Sequence, residues 1–488
     1  MLDPTDWELF RAQGHRMLDD MVDYLQTIRE RPVWQQAPES AQAYFHHGIP
    51  RHATPLPELH DTFMQHILPY SVGNTHPGFM GWVHGGGTPV GMLAEMLAGG
   101  LNANLGGRNQ IPIEVERQVI GWMRDLFGFP AQSSGVLTTG TSAATLIALV
   151  TARDAAQQKH PNATTWAAYT STQAHGCIAR ALKIMGWQGC LRKIPCLDDH
   201  TINLAALQQA ITEDQQHGIQ PWLIIGTAGS VNTGAVDDLQ GLAQLAKQCD
   251  AWLHVDGAFG ALALLSPQLA PRFRGIESAD SLAMDFHKWG QVPYDAGLIL
   301  IRDGEQHRQS FAAADAYLQR EEQGLAANSP WPCDYGLELS RGFRALKIWF
   351  TFQSLGTARL AEMIEQSCAL AQQLGEWVKA TPTLELMAEV SLNIVCFRYC
   401  GDQSLSPERY DAINRAIIVH IQQSGLAAPS LTFLRGRAVI RAAIVNHRTQ
   451  QEDIGKLLAA TLVAVQACQS TSSRSHSDAT PFTFIFSP

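Results

Sequence analysis

Apolar and polar positions recur with helical spacing near the start of the chain. Apolar side chains return every three or four residues, and Asp, Arg and Gln occupy the positions between them. This pattern predicts an amphipathic helix whose apolar face carries Phe10, Met17, Met21, Tyr24, Leu25 and Ile28. Because an apolar stripe at a chain end needs cover, we expect a partner subunit or another segment to pack on it.

Short β-branched runs alternate with longer amphipathic stretches between residues 85 and 356. The runs predict strands at 135–139, 166–170, 222–226, 252–256 and 297–302, and residues 142–155 predict a helix. Strands that alternate with helices favour a mainly parallel sheet covered on both faces. Ligands bind beyond the carboxyl ends of the strands in such sheets, so we expect the functional site there.

The chain after residue 356 also alternates predicted helices and strands, over a shorter stretch. Its predicted elements are a helix at 358–380, a strand at 392–399, a helix at 407–424, a strand at 438–443 and a helix at 451–466. They predict a small α+β domain over residues 357–469. A large domain at 85–356 and a helical segment at 1–84 precede it, and the Ser/Thr-rich residues 470–488 are predicted to be a disordered tail.

Composition narrows the class of protein. The 488 residues are 45% hydrophobic and 16% charged, which suffices for a large core without disulfides or metals. The net charge of −10 argues against nucleic acid or an anionic membrane as a partner. The nine cysteines are irregularly spaced, as is typical of reduced cytosolic thiols, and no zinc-ligand pattern is present, so we expect no metal site. An acidic, polar start and the lack of an apolar run of roughly 20 residues predict a cytoplasmic protein without a membrane span.

Two charged residues stand in unusual places. Lys288 lies between His287 and Trp289, at the junction of an apolar segment and a strand. Most lysines are solvated surface residues, whereas a partly buried, deprotonated amine is what a Schiff-base lysine requires. Asp256 ends the strand predicted at 252–256. A carboxylate at that point either caps a helix or pairs with a protonated ring nitrogen.

Small and hydroxylated residues follow three of the predicted strands. The segment Thr-Gly-Thr-Ser-Ala at 139–143 either caps a helix or binds a phosphate through its hydroxyls and the helix N-terminus. His175 follows a second strand, where an imidazole either hydrogen-bonds inside the core or stacks on a flat ring. Residues 226–230, Gly-Thr-Ala-Gly-Ser, form a Gly-rich turn after a third strand. Together with Asp256 and Lys288, these pieces supply attachment points for one phosphorylated pyridine.

Seven sequence pieces resemble those of one enzyme family, in the order expected: THPGFMGW, TTGTSAAT, TQAHGC, GTAGSVNTGAVDD, HVDGAFG, DFHKW and SRGFRALKIW. They resemble the group II PLP-dependent amino-acid decarboxylases, the family of aromatic-L-amino-acid, histidine and glutamate decarboxylases. The resemblance runs from the N-terminal helix to about residue 465, and HVD followed by HKW is its specific part. It implies an α/β fold-type I enzyme with a mainly parallel seven-stranded sheet. It also implies pyridoxal 5′-phosphate (PLP) as cofactor, an amino acid as substrate and a homodimer.

The resemblance also implies which residues contact the cofactor: Thr141, Ser142, His175, Thr227, Asp256, Ala258, His287 and Lys288. Lys288 would form the Schiff base, with His287 beside it, and Asp256 would bind the pyridine nitrogen. Of the remaining residues, two would bind the phosphate (Thr141 and Ser142), two would pack on the faces of the ring (His175 and Ala258), and one would contact the side of its 3′-oxygen (Thr227).

Catalytic roles are implied for Lys288, Tyr317, His175 and His287. Tyr317, in the segment DAYL, matches the tyrosine of the family's mobile loop, which protonates the carbanion after CO₂ leaves. Related aldehyde synthases replace this tyrosine, so its presence favours plain decarboxylation. Without the resemblance, the same tyrosine would be interpreted as a hydrophobic anchor of a loop.

Three segments depart from the family pattern. Gly342 stands where many relatives carry a second arginine, and residues 84–87 replace a bulkier segment that contains proline. Residues 101–110 are more polar than the pocket wall of aromatic decarboxylases. These departures leave the cofactor residues intact and concern the substrate.

We assign the substrate pocket to Trp82, His84 and Asn104. An aromatic L-amino acid is the first expectation, and an acidic amino acid or 2,4-diaminobutyrate stays open. A decarboxylation-dependent aldehyde synthase is a further alternative within the family. A fold-related aminotransferase or aldolase would need a dedicated arginine for the substrate carboxylate, and a non-enzymatic scaffold would not need every cofactor position filled.

Overall fold

The structure, a computed structural model, describes residues 2–312, 320–401 and 405–474. The N-terminal segment holds α1 (Trp7–Gln26), α2 (Glu39–Tyr44), α3 (Leu56–Thr62) and the short strand β1 (Phe79–Met80). The Asp6 carboxylate accepts hydrogen bonds from the N–H groups of Glu8 and Leu9 and thereby caps α1. The predicted N-terminal helix is confirmed, and several of its apolar residues stay exposed, including Trp7, Leu9 and Phe10.

The large domain is built on a seven-stranded sheet. Its elements are α4 (Pro89–Leu101), α5 (Ile111–Leu126), β2 (Ser134–Thr138), α6 (Thr141–Lys159), β3 (Trp166–Ser171), α7 (Cys177–Ile184), β4 (Leu191–Ile194), α8 (Leu204–Gln216), β5 (Gln220–Thr227), α9 (Leu239–Cys249), β6 (Trp252–Asp256), β7 (Ser281–Asp285), β8 (Gly297–Ile301) and α10 (Gly304–Phe311). The strand order is β2-β8-β7-β6-β5-β3-β4, and β8 runs antiparallel to both of its neighbours. The other pairs are parallel. The expected mainly parallel seven-stranded sheet is confirmed.

The central strands of this sheet are buried on both faces. Ile224 of β5 belongs to the core on the side of α9, whereas Leu223 and Ile225 belong to the core on the side of α6. All residues of β7 and β8 are buried. Strands covered on both faces carry nearly continuous apolar runs, which is why the strands at 252–256 and 297–302 are recognisable in the sequence.

The C-terminal part forms a second sheet. It contains α11 (Arg344–Lys379), β9 (Leu384–Leu386), β10 (Ile394–Tyr399), α12 (Pro407–Gln423), β11 (Ala428–Leu434), β12 (Arg437–Ala443) and α13 (Gln451–Arg474). The strand order is β1-β11-β12-β10-β9, so the N-terminal segment contributes an edge strand, which pairs in parallel with β11. Gly356, at φ 70°, interrupts α11, and the part after it matches the helix predicted at 358–380.

The last helix, α13, extends to Arg474 and thus into the segment predicted as a tail, while residues 475–488 lie outside the described residues. None of the helices in the described ranges combines the length and the apolar character needed to cross a bilayer.

His254, in the middle of β6, is completely buried. Its Nδ1 lies 2.8 Å from the Ser281 hydroxyl. This hydroxyl accepts a hydrogen bond of 2.8 Å from the indole N–H of Trp252, so it can donate its own proton to Nδ1 of His254. Burial lowers the pKa of His254 to about 3 because an imidazolium would lose its hydration. The unfolded chain binds this proton below about pH 6.5 and the folded chain does not. Stability is therefore lost as the pH falls from the unfolded value towards the folded one.

We expect the substitution His254→Asn to weaken this pH dependence. Near neutral pH the variant is less stable than the wild type because packing is lost. That difference shrinks by about 1.4 kcal/mol per pH unit between about pH 6 and pH 5, since the variant has no buried imidazole to protonate. Urea unfolding of both proteins at several pH values measures the difference. Parallel stability curves over this range would contradict the assignment.

Candidate active site

Three neighbouring strands of the large sheet end in polar side chains. Thr227 ends β5, Asp256 ends β6 and Asp285 ends β7. The strands are parallel, and Thr227 pairs in register with Asp256. Their ends therefore meet at the carboxyl edge of the sheet, where ligands of α/β proteins bind. Thr141 begins α6 after β2 and, as described below, contacts Asp285 at this edge.

A cavity of about 430 Å³ opens at this edge of the sheet. The predicted site residues that line it are Trp82, His84, Thr141, Ser142, His175, Thr227, Asp256, Ala258, His287 and Lys288. Asp285 and Tyr294, to which the sequence analysis assigns no role, line it as well. The structure thus brings distant stretches of the chain to one place. Tyr317 lies outside the described residues.

Asn104 is not brought to this cavity within the chain. Its side-chain oxygen accepts hydrogen bonds of 2.9 Å from the N–H groups of Gly106 and Arg341. These bonds join the loop before α5 to the segment before α11. Within one chain Asn104 therefore holds two segments together, and its assignment to the substrate pocket stays a prediction.

A carboxylate to which the sequence analysis assigns no role holds Lys288. The Nζ of Lys288 lies 2.9 Å from Oδ2 of Asp285, and Oδ1 of Asp285 accepts a hydrogen bond of 2.7 Å from the N–H of Thr141. Asp285 is buried, and 23% of the Lys288 side chain is exposed. One carboxylate thus connects the lysine to the first turn of α6. Its sequence signal is the Asp of DFHKW, three residues before the lysine.

Asp256 presents a second carboxylate to the cavity. Its Oδ1 accepts a hydrogen bond of 3.1 Å from the N–H of Ala258, and its Oδ2 has no partner among the described residues. Burial raises the pKa of Asp256, and the positive charge of Lys288 opposes this rise. A protonated ring nitrogen beside this carboxylate would stabilise its ionised form.

His175 accepts a hydrogen bond of 3.2 Å at Nδ1 from the N–H of Cys177, so the neutral form of its ring carries the proton on Nε2.

Two buried hydroxyl groups in the cavity lack hydrogen-bond partners. These are the Oγ1 atoms of Thr141 and Thr227, which have no partner among the described residues. Since buried polar groups are almost always paired, they indicate a polar ligand. Thr141 and Ser142 also form the first turn of α6, whose N–H groups favour a phosphate. These donors, together with the carboxylate of Asp256 in the same cavity, therefore fit a phosphorylated pyridine.

The backbone of the Thr227 segment is held by a buried carboxylate. The N–H of Thr227 donates to Oδ2 of Asp237 at 2.8 Å, and the N–H of Ile202 donates to its Oδ1 at 2.8 Å. Burial raises the pKa of Asp237 to about 6, although both hydrogen bonds act in the opposite direction. Asp237 thus fixes the end of β5 from behind the cavity.

His287 is held in one orientation beside the lysine. Its Nδ1 accepts a hydrogen bond of 3.0 Å from the N–H of Ala296, and its ring centroid lies 4.3 Å from that of Tyr294. Burial lowers the pKa of His287, and the charge of Asp285 opposes this effect. The ring is therefore neutral, with its proton on Nε2, which lies 3.7 Å from Oδ2 of Asp285.

Aromatic rings form one wall of the cavity. The rings of Phe79, Trp82 and His84 stack with centroids 5.6 to 6.3 Å apart, and Tyr294 lies edge-on to His84 at 5.8 Å. Burial lowers the pKa of His84, and two nearby positive charges act in the same direction, so its ring is neutral at pH 7. Phe79 belongs to β1, so this wall is attached to the sheet of the small domain.

A buried guanidinium group lies behind Trp82. Arg441 of β12 donates from Nη1 to the carbonyl oxygen of Trp82 at 3.1 Å and to the hydroxyl of Ser430 at 3.2 Å. Its Nε and Nη2 are buried and have no partner in the part of the chain that the structure describes. Burial lowers the pKa of Arg441 to about 10. A buried cation without a paired carboxylate favours an anion nearby. The sequence signal is an arginine inside the apolar strand RAVIRAA.

A larger open cleft of about 980 Å³ lies at the opposite edge of the large sheet. Its charged residues largely satisfy one another or the backbone. Lys159 pairs with Asp250, and Arg302 donates to the carbonyl oxygens of Ala279 and Glu277. None of the predicted site residues lines this cleft. The smaller cavity is therefore the candidate active site.

Comparison with known proteins identifies the family of the chain. A family model described as the pyridoxal-dependent decarboxylase conserved domain matches residues 38–400. The aromatic-L-amino-acid decarboxylase of Bacillus atrophaeus is 32% identical over 460 residues, which cover 92% of this chain and 94% of that protein.

Two solved structures share the fold. The structure of Oryza sativa TDC with PLP and tryptamine has a TM-score of 0.89 at 23% identity and covers 96% of this chain and 99% of that chain. That of Rhodiola rosea 4-hydroxyphenylacetaldehyde synthase has a TM-score of 0.85 at 24% identity and covers 95% and 99%. At these identities the likeness shows the fold, and the expected fold-type I architecture is confirmed. With the family match, the resemblance carried by the motifs is confirmed as well: the chain belongs to the pyridoxal-dependent amino-acid decarboxylases and is a PLP-dependent enzyme.

Proposed function

We propose that this enzyme decarboxylates an aromatic L-amino acid to its amine and CO₂, with PLP attached to Lys288. The observation that carries this proposal is the convergence of an amine, a carboxylate and a helix start on one cavity. The amine of Lys288, the carboxylate of Asp256 and the first turn of α6 match the aldehyde, the ring nitrogen and the phosphate of PLP.

The remaining cavity residues complete the proposed cofactor site. The phosphate partners are Thr141 and Ser142, the ring-face partners are His175 and Ala258, and the partner of the 3′-oxygen side is Thr227. The unpaired Oγ1 atoms of the two threonines support this arrangement, because each hydroxyl is buried and needs a polar partner. His287, fixed by Ala296, keeps the lysine segment in place.

The catalytic work divides between the cofactor and the protein. When bound, PLP supplies an electron sink for the pair that stays on Cα as CO₂ leaves. Asp256 favours this role because its carboxylate holds a proton on the ring nitrogen through a charge-assisted hydrogen bond. Tyr317, outside the described residues, is the proposed donor of the proton that Cα then takes up.

Arg441 is proposed to attract the substrate carboxylate through its charge alone, because it does not line the cavity and so differs from the dedicated arginine expected of an aminotransferase or aldolase. Its Nε and Nη2 lack partners among the described residues, and it lies behind Trp82, which lines the cavity. Its charge also reaches the cavity, since it helps to lower the pKa of His84. A carboxylate that enters the cavity would therefore be drawn to the side of the aromatic wall.

The lining of the cavity supports an aromatic side chain over an acidic one. Trp82, His84 and Tyr294 offer flat surfaces for a substrate ring. Lys288 is the one Lys or Arg among the described residues that line the cavity, and it is needed for the cofactor. An acidic side chain would thus lack a cation of its own. The 32% identity to an aromatic-L-amino-acid decarboxylase supports the same substrate class.

An aldehyde synthase is the second candidate, because one structure of this fold carries that name. Such an enzyme would release ammonia and peroxide together with CO₂. Tyr317 supports plain decarboxylation, since the resemblance associates its replacement with aldehyde formation. The products decide between the two reactions.

We propose that a second copy of the chain packs on exposed apolar side chains of α1 and α4. The exposed apolar side chains at the start of α1 are Trp7, Leu9 and Phe10, and those on α4 include Met96 and Leu97. A homodimer would remove these side chains from water. The cytoplasmic location stays a prediction from the sequence.

A panel of L-amino acids tests the proposed function. We expect the enzyme loaded with PLP to release one amine per CO₂ from tryptophan, tyrosine or a related aromatic substrate, because the neutral ring fits the aromatic wall. Glutamate and 2,4-diaminobutyrate should react at least about 100-fold more slowly, since a buried unpaired charge costs several kcal/mol. Faster reaction with either of these two would refute the substrate assignment, and aldehyde in place of amine would refute the reaction.

Tyr317→Phe tests the proton donor. We expect the variant to bind PLP as the wild type does and to lose about 10²- to 10⁴-fold in the rate of amine formation, because the phenolic proton is gone. Some of the remaining turnover should yield aldehyde. The visible absorption of the bound cofactor and chromatography of the products measure both effects. Unchanged amine production would contradict the role of Tyr317.

Arg441→Met tests the attraction of the substrate carboxylate. Removal of the charge should weaken substrate binding by about 1–2 kcal/mol, and KM should rise by a factor of about 5–30 while cofactor content stays the same. Arg441→Lys keeps the charge and should recover most of the loss. Steady-state kinetics of both variants check this expectation. Equal KM values for the methionine variant and the wild type would disprove it.

A further inference from the structure

Asp285 occupies a position that the proposed cofactor site does not explain. It ends β7, and its two oxygens have different partners: Oδ1 accepts the N–H of Thr141 at 2.7 Å and Oδ2 pairs with Nζ of Lys288 at 2.9 Å. A carboxylate has no proton to donate to a phosphate, so Asp285 opposes the negative charge that PLP brings to the start of α6. Its favourable partner is the lysine.

The amine of Lys288 has one carboxylate within ion-pair distance, that of Asp285 at 2.9 Å, and this carboxylate is itself buried. The charge of Lys288 is felt by groups on several packed elements. The other titratable or charged groups around it are Asp256 on β6, Cys177 on α7, His175 before α7, His84 before α4, His287 and Tyr294 beside the lysine, and Arg441 on β12.

Most of these other groups do not replace Asp285 as a counter-ion. Burial lowers the pKa of His84 and His287 and raises the pKa of Cys177 and Tyr294, which leaves all four uncharged near neutral pH. Asp256 is buried as well, and no ion pair joins it to the lysine within the described residues. The pair of Asp285 and Lys288 is therefore the dominant electrostatic contact of the amine.

We propose that Asp285 holds Lys288 as an ammonium ion before the cofactor binds and thereby sets the pH at which the amine can capture PLP. The neutral amine is the reactive form: its lone pair attacks the aldehyde carbon, a carbon–nitrogen double bond forms, and the carbonyl oxygen leaves as water. The proton that the ammonium ion gives up has an acceptor in the carboxylate 2.9 Å away. Asp285 is thus a positioning residue that acts through Lys288, and the inference rests on the proposed role of Lys288.

Asp285→Asn separates this electrostatic role from a structural one. The amide oxygen still accepts the N–H of Thr141, so the cap on α6 stays, while the negative charge next to the lysine is lost. Competitive acetylation of the cofactor-free protein over a range of pH, followed by mass spectrometry of the peptide that contains Lys288, measures the fraction of neutral amine. We expect the pH of half-maximal labelling to fall by at least about one unit, which corresponds to about tenfold more neutral amine at neutral pH.

Asp280→Asn is the matched control. Asp280 directly precedes β7, about 16 Å from Asp285 along the same strand, and its Oδ2 accepts the N–H of Leu253 at 2.8 Å. This variant removes a half-buried carboxylate at the opposite edge of the sheet and should label as the wild type does. Asp285→Glu keeps the charge and should also stay close to the wild type. A half-labelling pH that Asp285→Asn leaves unchanged, or that Asp280→Asn shifts equally, would overturn the proposal.

A second measurement keeps this proposal apart from the proposed function. PLP is added to each protein at several pH values, the attachment is fixed by borohydride, and the modified peptide is identified by mass. We expect capture at Lys288, with a pH profile that shifts in Asp285→Asn in parallel with the labelling. Capture at another lysine would refute the proposed anchor, while the labelling profile would still decide the role of Asp285.

Discussion

The balance of charge between the buried carboxylates and the lysine is the constraint on which the rest of the site depends. The parallel sheet ends in Asp256 on β6 and Asp285 on β7, and Asp256 pairs in register with Ala283, two residues before Asp285. Two buried carboxylates this close destabilise each other unless a cation compensates them. Lys288 supplies that cation, 2.9 Å from Asp285. The strand order that builds the core therefore also determines which charges the lysine and the cofactor have to neutralise together.

The two sheets contribute different parts of the site. The sheet of the large domain carries Lys288 and both carboxylates, whereas the sheet of the small domain carries the aromatic wall and Arg441. Asn232 connects them, since its Nδ2 donates to Oε1 of Gln173 at 2.9 Å and its Oδ1 accepts a hydrogen bond of 2.7 Å from the hydroxyl of Thr432 on β11. The position of a substrate relative to the cofactor thus depends on contacts between the sheets and not on either sheet alone.

The sequence predicts those helices and strands that are determined by the pattern of their own residues. The strand at 252–256 agrees with β6 to the residue because a buried parallel strand is a nearly continuous apolar run, interrupted here by His254, and Asp256 marks its end. It misses β7, whose sequence SLAMD has no β-branched residue, and with it the role of Asp285. The sequence also does not reveal that Arg441 is buried with two nitrogens unpartnered among the described residues, or that Asn104 contacts the backbone of a distant segment. Both features depend on which segments pack around these residues. Motif spacing finds the groups that bind a cofactor, and tertiary contacts decide how their charges are compensated.

The balance of charge in the cavity also restricts which substrate side chains it can accept. An amino acid brings one carboxylate into a cavity that already holds Asp256 and Asp285, and the unpaired guanidinium of Arg441 is the nearby cation without an ionic partner among the described residues. A second carboxylate on the side chain would add a negative charge for which the described lining offers no further Lys or Arg beyond Lys288. A neutral aromatic ring adds no charge and gains contact with the wall that includes Trp82. Selectivity for the substrate side chain therefore follows from the charges of Asp256, Asp285 and Lys288 as much as from the shape of the pocket.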